Sequence, residues 1–285
     1  MKSQNMKTIK SPKKMSQAAR EIVASGQTVA LVPTMGALHE GHLALVDRAR
    51  RAADVVVVSI FVNPTQFGPD EDYLNYPRDT RRDLALLRKR RVGFVFLPQV
   101  KDMYPDNYET YVTVENLTQT LEGKARPGHF RGVTTIVAKL FNICRPDVVV
   151  FGQKDYQQAA VLKKMTADLA YPITFVVAPT VRERDGLALS SRNQYFSAEQ
   201  RKEAVCLSDG LRAAKKAFRA GETSVGSIRG IIAREAKKVC PTVKFEYIAA
   251  TEYETLTELK KLKKGAMLSL AAKVHNVRLI DNLRL

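Results

Sequence analysis

Short apolar runs and helix-spaced apolar positions alternate through the first two thirds of this chain. Thr28 to Val32 (TVALV) is an apolar run that stops at Pro33 and predicts a buried strand. From Gly41 to Ala53 the apolar positions Leu43, Leu45, Val46, Ala49 and Ala53 follow the helical period. Asp54 to Val62 (DVVVVSIFV) is a continuous β-branched run of the kind a parallel sheet covers on both faces. Arg78 to Arg90 reads as an amphipathic helix with Leu84, Leu86 and Leu87 inward, and Val92 to Leu97 as a third strand. The alternation resumes with a helix over Val133 to Cys144, a strand over Asp147 to Phe151, a helix over Asp155 to Leu169 and a strand over Ile173 to Val177. Strands separated by helices predict right-handed βαβ units, and so an α/β, Rossmann-like, doubly wound parallel sheet.

After about Arg184 the pattern changes. Ser197 to Ala220 and Ser224 to Lys238 are helical, with Ser197 and Ser224 placed as N-caps. Short strands follow at Val243 to Ala249, Ala266 to Ala272 and Asn276 to Ile280. The expectation is two domains: residues 1–184 around the parallel sheet, and a smaller α+β lid over residues 185–285. There is no internal repeat and no low-complexity tract.

Composition narrows the class. A chain of 285 residues with 45% hydrophobic and 26% charged residues is ordinary for a globular protein. It holds no apolar run near the roughly 18–20 residues a membrane helix needs. Met1 to Met15 is basic but lacks an apolar centre, so it is not read as a secretory signal, and Met6 is an equally good start. A cytoplasmic protein with no membrane partner is expected. Cys144, Cys206 and Cys240 are far apart and odd in number, which predicts neither a disulfide framework nor a zinc cluster but buried, reduced thiols.

The net charge of +17 suits nucleic acid, an anionic surface or phosphate-bearing substrates. Its clusters are spread out: Lys2, Lys7, Lys10, Lys13 and Lys14; Arg48, Arg50 and Arg51; Arg88 to Arg91; and Lys260, Lys261, Lys263 and Lys264. None is interleaved with aromatics as a single-strand-binding surface is. A solvated basic exterior, with no nucleic-acid partner, is the reading adopted.

The common nucleotide fingerprints are missing: no G-x-x-x-x-G-K-[ST] loop and no G-x-G-x-x-G after a strand. The first strand ends instead in Pro33-Thr34-Met35-Gly36-Ala37-Leu38-His39-Glu40-Gly41-His42. Gly36 allows close approach of backbone to a ligand, and Gly41 and His42 open a helix whose N-terminus favours phosphate. His39 and His42, three apart, face the crevice at the carboxyl ends of the strands. Imidazoles there can donate to charge that builds as a carboxylate attacks the α-phosphate of ATP. The competing readings are an incidental polar helix start or half of a metal site. Asn63 and Gln66 follow the second strand, where their amides can bind hydroxyls and a carboxylate, or simply form a turn. Gly152-Gln153-Lys154-Asp155 is a second strand-to-helix junction, with Lys154 a compact charge for phosphate. Asp155 caps the helix or holds ribose or Mg²⁺. Ser190-Ser191-Arg192 either closes over a triphosphate or is an interdomain turn.

PTMGALHEGH resembles the HIGH-type signature of the nucleotidyltransferase superfamily that includes class I aminoacyl-tRNA synthetases, in its pantothenate synthetase family form. FVNPTQF (61–67), RPGHFRGV (126–133), FGQKDYQQ (151–158), LSSRN (189–193) and RLIDN (278–282) match the same family in order and span nearly the whole chain. Ser190-Ser191-Arg192 resembles the KMSKS-type loop, with arginine in place of lysine. The resemblance implies ATP-dependent joining of (R)-pantoate to β-alanine through a pantoyl-adenylate, giving pantothenate, AMP and diphosphate.

It implies ATP with Mg²⁺ at Met35 to His42, Gly152 to Asp155, Val181 and Leu189 to Arg192. His42, His39 and Lys154 carry catalysis, with His42 as proton donor. Pantoate lies on Gln66 and Gln158, and β-alanine beside Gln66. A homodimer follows from the family alone, and no metal with direct protein ligands is assigned. The role of His129 stays open, and His275 is read as structural. Val274-His275-Asn276-Val277 stands where the family often has a glycine, which affects a turn. Rival readings are another nucleotidyltransferase, or an RNA-binding protein that has kept the fold and lost activity.

Overall fold

The computed structural model describes residues 6–69 and 71–285, so Lys2 of the basic leader lies outside the described residues. Six parallel strands form the main sheet: β1 (Lys7–Ile9), β2 (Val29–Thr34), β3 (Val55–Ile60), β4 (Phe94–Phe96), β5 (Val148–Gly152) and β6 (Thr174–Ala178). Their order is β1-β4-β3-β2-β5-β6, so the winding reverses between β2 and β5. Ligand crevices form at such reversals, beyond the carboxyl ends of the strands.

The β-branched runs make this sheet because both of its faces are covered. Val29, Leu31, Val55, Val57, Val149 and Phe151 point into one core. Ala30, Val32, Val56, Val58, Val148 and Val150 point into the other. The first face is packed by helices α1 (Pro12–Ala24), α6 (His129–Cys144) and α7 (Tyr156–Asp168), and the second by α2 (Glu40–Arg50) and α3 (Thr80–Lys89). Two further short helices, α4 (Val100–Met103) and α5 (Leu121–Ala125), lie on the connection into α6. Much of the basic leader is thus part of the fold: β1 extends the sheet beyond β4, and Met15 and Ala19 of α1 are fully buried.

From Leu187 onward the chain builds a third core. Helices α8 (Ala198–Glu203), α9 (Cys206–Arg219) and α10 (Val225–Val239) pack on an antiparallel sheet of β7 (Lys244–Thr251), β8 (Met267–Val274) and β9 (Val277–Arg284). Ser197 and Ser224 accept from the amides of Gln200 and Ser227, as N-caps do. The single helix expected from Ser197 to Ala220 is two. Ala204 and Val205 flatten to ψ −16° and −12°, which interrupts the hydrogen-bond ladder without turning the chain away. All three cysteines are free and buried.

Candidate functional site

A cavity of about 230 Å³ opens at the sheet reversal. Met35, His39, Gly41 and His42 line it from the end of β2, and Gln66 from the segment after β3. Gly152, Lys154, Asp155 and Gln158 come from the end of β5 and the start of α7. Val181, Leu189, Ser190, Ser191 and Arg192 come from the connection to the small domain. Gly36, Ala37, Leu38, Glu40 and Gln153 do not line it. Leu38 is buried in the core, and Glu40 turns outward to Arg90 at 3.0 Å.

The turn after β2 differs from expectation. Gly36 and Ala37 both take positive φ, 86° and 50°. The amides of Ala37 and Leu38 donate to Asp83 at 2.9 and 2.8 Å. This backbone is therefore satisfied internally by a carboxylate from α3 rather than offered to a phosphate. A Cβ on Gly36 would stand 3.0 Å from Ile60 and 3.1 Å from Asp83, so the glycine is required by both conformation and space. Burial pushes the Asp83 carboxyl up, against the two amides that favour its charge. The signal was present in the sequence: Asp83 sits one turn before Leu87, on the buried face of α3.

His39 is the N-cap of α2, and its Nδ1 accepts from the Gly41 amide at 3.1 Å. The Nδ1 of His42 accepts from the His39 amide at 3.4 Å. With both Nδ1 atoms accepting, each neutral ring carries its proton on Nε2. The rings stand 4.1 Å apart. Burial, then Lys154 and Arg82 against the opposing Asp155, hold His39 down to about 4. Burial, His39 and Lys154 hold His42 down to about 3. In the ligand-free protein both rings are held below the ordinary histidine range, so the neutral pair offers N–H hydrogen bonds. An apolar surround and two neighbouring cationic charges cause the difference.

Lys154 sits in a 3₁₀ turn over Gln153–Asp155, with its Nζ 3.6 Å from the Asp155 carboxylate. Asp155 makes no capping hydrogen bond to α7, which overturns the capping role; its carboxylate faces Lys154 instead. The turn is clamped from the small domain. Asn282 donates to the carbonyls of Gln153 and Lys154 at 2.9 and 2.8 Å, and Arg182 grips Asp281 at 2.7 and 2.8 Å. RLIDN matched the family without a role; its Asn282 docks the C-terminal strand onto the lysine turn, and its Asp281 onto Arg182.

Gln66 ends a 3₁₀ turn over Pro64–Gln66. Its side chain accepts from Asn63 at 3.1 Å and donates to the Met35 sulfur at 3.1 Å. Asn63 is fully committed to holding the turn: it also donates to the Gly132 carbonyl and accepts from Thr65 and Tyr104. His129 now has a position. Its Nδ1 donates to the Gln66 carbonyl at 2.8 Å, and its Nε2 accepts from Arg126 at 3.1 Å. Burial and Arg126 hold it down to about 4, against the Gln66 carbonyl, Glu71 and Glu122. Arg126, missed by sequence reasoning as a site support, is itself gripped by Glu71 at 2.6 and 2.7 Å.

The Ser190 hydroxyl accepts from the Arg192 amide, and Ser191 meets Tyr76 at 3.2 Å. Arg192 is already paired, with Nε and an outer nitrogen on the Asp72 carboxylate at 3.1 and 2.8 Å.

Comparison with known proteins gives one answer. The family described as pantoate-beta-alanine ligase matches residues 7–284. Pantothenate synthetase of Moorella thermoacetica is 50% identical over 277 residues, covering 97% of this chain and 96% of that protein. The crystal structure of pantothenate synthetase from Thermus thermophilus superposes with a TM-score of 0.92 at 46% identity, covering 98% and 99% of the two chains. That of pantoate-beta-alanine ligase from Francisella tularensis, complexed with beta-gamma ATP and beta-alanine, gives 0.79 at 33%, covering 98% and 97%.

Proposed function

The chain belongs to the pantoate–β-alanine ligase family, and from that premise we propose that the cavity activates pantoate with ATP and passes it to β-alanine, giving pantothenate, AMP and diphosphate. The observation that carries this is the joining of two neutral histidines, Lys154 and the Gln66–Gln158 pair on one cavity at the sheet reversal. The Francisella tularensis relative, which holds an ATP compound and β-alanine, supports both substrates.

The pantoate carboxylate attacks the α-phosphorus, diphosphate leaves, and a pantoyl-adenylate remains. Charge builds on the phosphate oxygens in that step. The Nε2–H groups of His39 and His42 are pre-aimed donors that cost no reorganisation as it builds. Being uncharged, they carry less of a desolvation penalty than imidazolium would. Lys154 holds the departing diphosphate as a point charge. Gln66 and Gln158 orient pantoate by its carboxylate and hydroxyls, while Val133, Ile136, Val137 and Leu140 of α6 give its methyl groups an apolar wall. The neutral amine of β-alanine then attacks the acyl carbon beside Gln66 and expels AMP. Ser190, Ser191 and Arg192 close over the triphosphate, which keeps water from the adenylate.

Mg²⁺ bound with ATP would neutralise charge on the triphosphate. Asp155, the one carboxylate among the described residues lining the cavity, is free of a capping bond and fits that neighbourhood. We take the division between main and lid domains at 184–185, and carry a cytoplasmic homodimer from the family resemblance.

The test is incubation with Mg·ATP and pantoate, with and without β-alanine. Pantoate-dependent diphosphate release, with steady AMP formation only when β-alanine is added, is expected. ATP left untouched by pantoate but cleaved with another acceptor would remove the substrate assignment and keep the superfamily.

A further inference from the structure

Where the β8–β9 turn of the small domain meets its helices, three chemically different side chains converge from separate elements. Cys240 closes α10, Glu203 ends α8, and His275 stands in the turn between β8 and β9. The Cys240 sulfur, a His275 ring nitrogen and a Glu203 carboxylate oxygen all lie within 4.8 Å of one another. We propose that Cys240, His275 and Glu203 bind a single divalent transition-metal ion of zinc type, a site distinct from the ligase cavity and independent of how that cavity works.

The spacing fits such an ion. Around a tetrahedral centre with bonds of about 2.0–2.3 Å, neighbouring ligand atoms stand about 3.3–3.8 Å apart, so only small adjustments are needed. The histidine supplies a second, independent sign. Its Nε2 is shielded from solvent and has no hydrogen-bond partner, although it points to within 3.2 Å of the Glu203 carboxylate. A buried ring nitrogen left without a hydrogen bond is costly, and a metal ion would satisfy it. Cys240 is fully buried, with the Thr242 hydroxyl at 3.5 Å as its hydrogen-bond contact.

Sulfur, imidazole and carboxylate together select zinc-like ions over Mg²⁺ or Ca²⁺, which take oxygen alone. Thiolate and carboxylate supply two negative charges against the ion's two positive ones, and the thiol proton leaves to solvent on binding. A tetrahedral ion would take a water molecule as its fourth ligand. The ion would tie α8, the end of α10 and the β8–β9 turn together. Chain spacing hides the site because each ligand comes from a different element.

The experiment titrates chelator-treated full-length protein with Co²⁺, the spectroscopic stand-in for Zn²⁺, then with Zn²⁺. One equivalent of Co²⁺ is expected to give a thiolate-to-cobalt charge-transfer band, which one equivalent of Zn²⁺ removes while raising Tm by several degrees. The band should vanish in Cys240→Ser. His275→Asn lies in a turn where asparagine tolerates positive φ, so it should fold normally and bind about tenfold or more weakly. No cysteine lines the cavity of His39 and His42, so they cannot produce a thiolate band. No band in excess Co²⁺, a band that survives Cys240→Ser, one lost in Cys206→Ser instead, or unchanged affinity in His275→Asn would each overturn the site.

Discussion

His42 shows how much a single hydrogen-bond partner decides. Because Nδ1 is spent on the His39 amide, the ring presents one donor, Nε2–H, toward the cavity. Replacing His42 by alanine removes that donor and is expected to lower kcat by about 10²–10³ with little change in KM for ATP; steady-state kinetics on both substrates would separate the two. The same burial makes an acid-side stability prediction. His39, His42 and His129 are held at about 4, about 3 and about 4 in the folded protein, below the ordinary 6.5. Between those values and 6.5 the unfolded chain binds more protons, so stability rises with pH across that window. It is lost as pH falls below 6.5, by at most about 1.4 kcal/mol per pH unit for each histidine. Thermal melts from pH 7 to pH 4 check this, and His129→Gln should flatten the slope. A slope unchanged in every histidine variant would assign the acid loss to carboxylates.

At the scale of elements, the clearest dependence is that of the Gln66 turn on α6. Gly132 faces Thr65 so closely that an added Cβ would lie 2.3 Å from the Thr65 carbonyl oxygen. Gly132→Ala must push helix and turn apart, costing about 1–3 kcal/mol of stability. It should also raise the Kd for pantoate about tenfold or more, measured by calorimetry; tight pantoate binding in that variant would show that the turn does not orient the ligand. Most of the longer elements were readable, though α1 (Pro12–Ala24) was not read from the sequence. The β-branched runs at 54–62 and 147–151 could only be strands covered on both faces, and Ser197 and Ser224 announced the helices they cap. What sequence could not give was the supporting layer. Asp83, Arg126, His129 and Asn282 reach the site from 40 or more residues away along the chain, and local periodicity carries no information about such pairs. β1 escaped because Lys7–Ile9 is three residues long and mostly exposed, so neither length nor alternation marks it.

Across the whole molecule, ion pairs join the small domain to the large one, Arg278 on Glu122 and Arg192 on Asp72 among them. Glu122, buried on the parallel-sheet side, receives both outer nitrogens of Arg278 at 2.8 Å and the Tyr247 hydroxyl at 2.8 Å. Burial alone would raise its pKa, but Arg278 and Tyr247 hold the carboxyl below the usual range. Arg278→Met strands that charge in the interior. With Arg126 still 4.0 Å away, the loss should fall near the lower end of about 3–5 kcal/mol, seen as a lower urea midpoint. The second pair is Arg192 on Asp72. A guanidinium paired at 2.8 and 3.1 Å through Nε and one outer nitrogen keeps only its other outer nitrogen for phosphate, so Asp72 competes with ATP for the rest of the Arg192 fork. Tyr195 and Tyr76 brace the same contact from the lid and the large domain, so the lid stays docked when the ion pair is removed. Asp72→Asn keeps the shape and removes the charge. It is therefore expected to lower KM for ATP severalfold while leaving KM for pantoate unchanged. A rise in KM for ATP would mean that Asp72 instead orients Arg192 toward the phosphates.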